Sequence, residues 1–265
     1  MTAPHDDRPD DAPAVDAAAP AAGTPRPRRG SWVTFYVLLA VAAIVTGSLL
    51  ALVIHRHQSS ASPVLRPSGL PAAVSTATAN LMALSPVPTH HAPGFTLTDQ
   101  KNHTLSLSQF RGRAVVLEFM DPHCVDICPI VSQEFIDANR DLGSLSSRVA
   151  FIAVNVNQYF SSVASMAAFT REHQLNTIAS WHFFTGPTPL LQRVWHDYGI
   201  TVEAPNPKAD IVHTSLVYFI DPHGNERYIA SPQVDHTAAG AAFLPAPSLA
   251  AWGQGIAQVA ASLVR

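Results

Sequence analysis

A formal net charge of −3 over 265 residues offers no basic field, and nothing points to a nucleic-acid partner. The length suffices for one or two domains. Two cysteines are too few for a disulfide scaffold and leave three uses: one bridge, one redox pair, or part of a metal site.

Residues 1–30 are rich in Ala, Pro, Asp and Arg without an apolar period, and are expected to form a disordered tail. Segment 31–55 holds an uncharged run of 23 residues, Trp32 to Ile54. At about 1.5 Å per residue the run measures roughly 35 Å as a helix, enough to cross a bilayer with some tilt. A cleaved signal peptide has a shorter apolar core nearer the start of the chain, so an uncleaved transmembrane signal anchor is expected. Arg26, Arg28 and Arg29 precede the run, and Arg56 and Arg66 follow it. The positive excess keeps the N-terminus in the cytoplasm and puts the rest outside the cell membrane, as a single-pass protein. Residues 56–92, rich in Ser, Ala, Thr and Pro, are expected to be a flexible linker.

The domain is expected over 93–265. Gly94–Asp99 and His103–Leu107 alternate as short strands around a turn. Ala114–Phe119 is apolar on both faces except at Glu118, as an interior strand should be. Next comes Asp121-Pro122-His123-Cys124-Val125-Asp126-Ile127-Cys128-Pro129, which holds both cysteines. Pro129 suits the first position of a helix, and Val131, Phe135, Ala138 and Leu142 then share one face. Cys128 therefore falls at or beside the helix N-cap, with Cys124 just ahead, where unpaired N–H groups and the positive dipole end favour thiolate over thiol.

Val149–Val154 is a second buried strand, and Ser161 or Ser162 can cap a helix running to about Gln174. Trp181–Phe184 is strand-like. Thr188 and Pro189 open a helix that Gly199 ends. Leu216–Ile220 is a strand, Asp221–Gly224 a turn, and Arg227–Ala230 its hairpin partner. Residues 231–247, rich in Ala and Pro, are expected to be a loop. The last helix carries Leu249, Trp252, Ile256, Val259 and Leu263 at spacings of 3 and 4. Strands alternating with helices give an α/β fold, a central sheet with helices on both faces, preceded by one transmembrane helix.

A structural bridge across so short a cysteine loop would contribute only about 2 kcal/mol, and such spacing more often serves catalysis or metal binding. A strand, a loop with two close cysteines and a helix opening at the second resemble the thioredoxin superfamily. Within it, Cys124-Val125-Asp126-Ile127-Cys128-Pro129 and the later His213-Thr214-Ser215-Leu216-Val217-Tyr218-Phe219-Ile220-Asp221-Pro222-His223-Gly224 are similar to the two motifs of the Sco/SenC copper-chaperone family. The resemblance implies that Cys124, Cys128 and His213 bind copper together. Soft thiolates select Cu(I) and imidazole also suits it, whereas a structural zinc site normally needs four ligands.

Asp126 and His123 are candidates for supporting the ligands from outside. The resemblance further implies a carrier rather than a turnover enzyme. Its partner would be an apo-metalloprotein, a subunit of cytochrome c oxidase that receives the ion at a dinuclear copper site. Asp121-Pro122 and Val212 depart from what many relatives carry there. The alternative is a membrane-anchored thiol-disulfide oxidoreductase using Cys124 and Cys128 as a redox pair. Against it stand the three-residue spacing and the lack of any proline between Pro207 and Asp221 in the role of a cis-proline facing the cysteines.

Overall fold

The computed structural model describes residues 31–59 and 66–264, which divide between two units, 1–63 and 64–265. The expected disordered tail, 1–30, and residues 60–65 of the expected linker lie outside the described residues. The first unit contributes one helix, α1 (Ser31–Ser59). Its described side chains, Trp32 and those over 35–49, are mostly apolar and all exposed. Among the described residues no helix is long and apolar enough to cross a membrane. The described run 35–49 is shorter than the about 20 residues a bilayer span needs.

In chain order the second unit consists of α2 (Thr76–Leu81), β1 (Ser85–His91), β2 (Thr96–Thr98), β3 (Thr104–Ser106), β4 (Ala114–Met120), α3 (Ile127–Leu142), β5 (Val149–Asn155), α4 (Val163–Glu172), β6 (Trp181–Phe184), α5 (Thr188–Asp197), β7 (Val202–Glu203), β8 (Val212–His213), β9 (Val217–Ile220), β10 (Asn225–Ala230), β11 (Asp235–His236), β12 (Ala242–Phe243) and α6 (Ala246–Val264). One six-stranded sheet runs β1-β10-β9-β4-β5-β6. Strands β4, β5 and β6 are mutually parallel, while β9 lies antiparallel to β4 and β10 antiparallel to β9.

Every residue of β4 and β5 is buried, because helices cover both faces. Ala114, Val116 and Met120 of β4 point into one core with Val131 and Phe135 of α3, Met166 and Phe169 of α4, and Trp252 and Ile256 of α6. Val115, Leu117 and Phe119 point into the other, with Leu191, Val194 and Trp195 of α5 and Phe95 and Leu97 at the β2–β3 hairpin. The helix α4 is capped by Ser162, whose Oγ accepts the Ser165 N–H at 3.0 Å. Gly199 at φ +69° supplies the left-handed turn beyond α5.

Two expectations need correction. The stretch 56–92 is not linker throughout: α2 and β1 belong to the domain, and Val74, Ala79, Met82 and Leu84 are buried. Strand β1 is the sheet edge beside β10, where Pro86 and Pro88 are tolerated because no neighbour needs their N–H. Helix α6 covers this segment closely. A Cβ on Gly255 would lie 2.8 Å from Thr78 Cγ2 and collide with Met82 Sδ. Residues 231–247 are likewise not all loop, since β11 and β12 pair as a small hairpin, Asp235 with Phe243 and His236 with Ala242.

The sheet order places the site. The cysteine loop leaves the C-terminal end of β4. Because β9 runs antiparallel beside β4, with Leu117 opposite Tyr218, the segment entering β9 arrives at that same edge. That segment carries His213 and Ser215. In open α/β sheets this carboxyl edge is where sites form.

Candidate metal centre

Asp121 builds the loop. Its backbone carbonyl accepts the Cys124 N–H at 3.1 Å. Its Oδ1 accepts the His123 N–H at 2.8 Å and the Asn157 side-chain amide at 2.9 Å. Asn157 is fixed in turn by Asn155, whose Oδ1 accepts the Asn157 N–H at 2.8 Å. A buried carboxylate and two buried amides at the ends of β4 and β5 thus hold the turn that carries the first cysteine.

Helix α3 starts at Ile127, two residues earlier than Pro129 suggests, with Asp126 as N-cap. The proline still sits in the first turn, where a missing N–H costs nothing. Both cysteines are free, Cys124 partly buried and Cys128 buried. The Cys128 N–H points at Cys124 Sγ at 3.3 Å. Cys124 is held well below its ordinary value, at about 7, chiefly because the Cys128 thiol donates to it, helped by the backbone N–H groups of Cys128 and Asp126. Cys128 moves the other way, raised by keeping its proton in that same bond and by burial. The expectation that the helix start would favour thiolate is therefore reversed at Cys128, and at Cys124 the neighbouring thiol does more than the helix-start N–H groups. We expect iodoacetamide near pH 7 to modify Cys124 first, with a midpoint near 7, while Cys128 reacts only at distinctly higher pH. Peptide mapping of singly labelled protein checks this, and early label on Cys128 would contradict it.

Cys124 lines a cleft of about 1870 Å³, counting space open to solvent, that is also lined by His123, Asp126, His213, Ser215 and His236. His213 sits on β8 opposite Val202 of β7. Its Nδ1–H donates to the Thr214 carbonyl at 2.9 Å, which leaves Nε2 as the ring's lone-pair donor. Burial lowers its pKa against the opposing pulls of that bond and of Asp121, so the ring stays neutral, as a ligand must. The donor types therefore suit a soft monovalent ion. Among the described residues, however, no three His, Cys, Asp or Glu side chains already stand as a group that could hold a metal. The three predicted ligands share one neighbourhood without forming a closed set.

His123 stacks on Phe160, with ring centroids 3.8 Å apart, so its ring packs against the cleft wall. Asp126 accepts a hydrogen bond from His236 Nε2 at 2.9 Å. Sequence reasoning did not single out His236, Asn157 or Ser215. Beneath the site, Glu118 is fully buried on β4, with Ser215 Oγ donating to its Oε1 at 2.7 Å and no partner for Oε2 among the described residues. Burial raises it to about 8. Glu134 on α3 is raised for the same reason, and both of its oxygens lack a hydrogen bond among the described residues.

The SCO1/SenC family model matches residues 85–242. The chain is 22% identical over 132 residues to the SCO1 protein homolog of Bacillus subtilis (strain 168), covering 49% of this chain and 68% of that one. It is 26% identical over 137 residues to the mitochondrial SCO2 homolog of Mus musculus, covering 49% of this chain and 52%, about half, of that relative. The crystal structure of a SCO1/SenC family lipoprotein from Bacillus anthracis str. Ames aligns with a TM-score of 0.50 at 19% identity, over 56% of this chain and 87% of that one. The copper-bound structure of ScoI from Bradyrhizobium japonicum aligns at 0.49 with 18% identity, over 64% and 99%. The Bacillus anthracis likeness bears on the fold, which is the α/β thioredoxin-like arrangement described above.

Proposed function

This chain belongs to the SCO1/SenC family, and from that premise we propose that it is a copper carrier, holding Cu(I) through Cys124, Cys128 and His213 and handing it to an apo-metalloprotein. The observation that supports this most directly is the unequal cysteine pair. Cys124 is lowered to about 7, partly ionised at neutral pH, and lines one cleft with His213, whose Nε2 is left free. Two sulfurs and one imidazole make a soft, low-coordinate set suited to Cu(I). Loading releases the thiol protons. Unloading runs by ligand exchange: each thiolate of the recipient adds to the ion as one sulfur of this chain leaves and takes a proton. Asp126 and His123 support the loop from outside the ligand set.

The recipient in this proposal is a subunit of cytochrome c oxidase, at its dinuclear copper site. The domain faces away from the cytoplasm on a single-pass anchor formed by the apolar run of α1, and the N-terminal tail remains in the cytoplasm. The anchor rests on the uncharged run Trp32–Ile54 and on the arginines before it.

Anaerobic titration of the reduced full chain tests the reading. One equivalent of Cu(I) per chain is expected, lost in Cys124→Ala and in Cys128→Ala. A reduced wild-type chain that takes up no Cu(I) overturns it. The split between a reactive outer cysteine and a buried protonated one also serves thiol-disulfide exchange, with Cys124 attacking and Cys128 resolving. That second reading gains if both cysteines are needed to reduce a disulfide substrate while no copper is bound.

A further inference from the structure

The cysteine loop is held by a segment far along the chain. Asp126 lies between the two cysteines at the N-cap of α3, yet its side chain makes no cap hydrogen bond, and its backbone, at φ −107° and ψ −101°, is outside the usual cap conformation. The carboxylate turns instead to His236 Nε2 at 2.9 Å, a contact across 110 residues of sequence. His236 stands on the β11–β12 hairpin, which has two paired positions. The turn of that hairpin is tightened by Gly240 at φ +82° and by Thr237 Oγ1, which accepts the Ala241 N–H at 3.1 Å. Between buried Pro232 and Leu244, which packs against the core, most of the segment is exposed. His236 and Ala242 nevertheless line the same cleft as Cys124 and His213. A short, exposed hairpin is the kind of unit that opens without global unfolding.

We propose that the Asp235–Phe243 hairpin is a clasp on the cysteine loop, with the His236–Asp126 hydrogen bond as its catch. The catch acts on the sulfur through the backbone. The Cys128 N–H points at Cys124 Sγ at 3.3 Å, and Asp126 lies in the turn between the two, so fixing the Asp126 side chain fixes the turn that aims this donor at the outer sulfur. His236 is thus a positioning residue: it touches neither sulfur nor ion, and it sets how readily the loop loosens. The effect on ion release rests on the copper-carrier reading, whereas the effect on the loop does not.

Hydrogen exchange of the reduced, metal-free full chain tests the clasp. His236→Ala should speed exchange at the Cys124 and Cys128 amides by roughly three- to tenfold, the range expected for one half-exposed charge-assisted hydrogen bond, with β4 and β5 unchanged. Asp126→Ala should match it, the double variant should add nothing further, and His236→Gln, which keeps a donor, should restore protection. In the Cu(I)-loaded chain, transfer to excess chelator should speed by a similar factor. Wild-type exchange in His236→Ala, or additive effects of the two single variants, overturns the clasp. A chain that binds no Cu(I) overturns the carrier reading instead, and the exchange data still decide the clasp.

Discussion

His213→Ala is expected to weaken Cu(I) retention at least about 100-fold while both thiols stay reduced and the domain stays folded. Losing a group that merely supports a ligand typically costs 10- to 100-fold in metal affinity, and losing a ligand should cost no less. The fold should tolerate the change. Among the described residues the ring makes one hydrogen bond, to the Thr214 carbonyl, on a strand of two residues, so a stability loss of about 1 kcal/mol is expected. The measurement is competition against a Cu(I) chelator, with a thiol count on the same sample and a melting curve beside it. Because the described side chains do not form a ready three-donor group, the result also bears on closure. A large loss means that β8 carries the imidazole onto the sulfurs when the ion arrives. Unchanged retention would remove His213 from the ligand set and leave a two-thiol site, which favours the exchange reading.

What the sequence made legible is what repeats locally. The burial of β4 and β5 follows from apolar runs, broken in β4 only by Glu118, and the 4-3-4 spacing from Val131 to Leu142 places α3 on the sheet, with all four residues buried. The bounds of α5 were legible too, with Thr188 and Pro189 at its start and Gly199 just beyond its end. Less visible was whatever depends on a distant partner. Val74, Met82 and Leu84 are scattered among Ser, Thr and Pro, and they are buried in the core they share with α6 and the sheet, with Gly255 allowing α6 to approach Met82. His236 carries no local signal, since its partner Asp126 lies 110 residues away. At the cysteines, the helix-start argument gave both sulfurs one direction. In the fold a single proton is shared between them, and the buried sulfur keeps it. Glu118 was visible as the odd residue in an apolar strand, but its surroundings come from Ser215, 97 residues on.

Glu118→Gln is expected to stabilise the domain increasingly as pH rises. The unfolded chain ionises this carboxyl near 4.5, whereas in the fold it does so at about 8, because burial penalises the charge more than the Ser215 hydroxyl and the Phe119 N–H relieve it. Below 4.5 both states hold the proton and the group contributes no pH dependence. Above that the unfolded state releases its proton while the folded state keeps it, so stability falls by about 1.4 kcal/mol per pH unit. The loss reaches roughly 3 kcal/mol by pH 7 and levels off beyond the folded value. Gln keeps the shape and an acceptor for Ser215 but has no proton to lose, so the stability gap between variant and wild type should widen from pH 5 to pH 8. Urea denaturation of the reduced proteins, with a metal chelator present, measures it. The variant isolates Glu118 from other titrating groups, including Glu134, because those are common to both chains. A gap that stays flat would mean that Glu118 Oε2 finds water or a donor in solution. Glu118 would then carry its charge at neutral pH, adding to burial and the bond to Cys124 in holding the proton on Cys128.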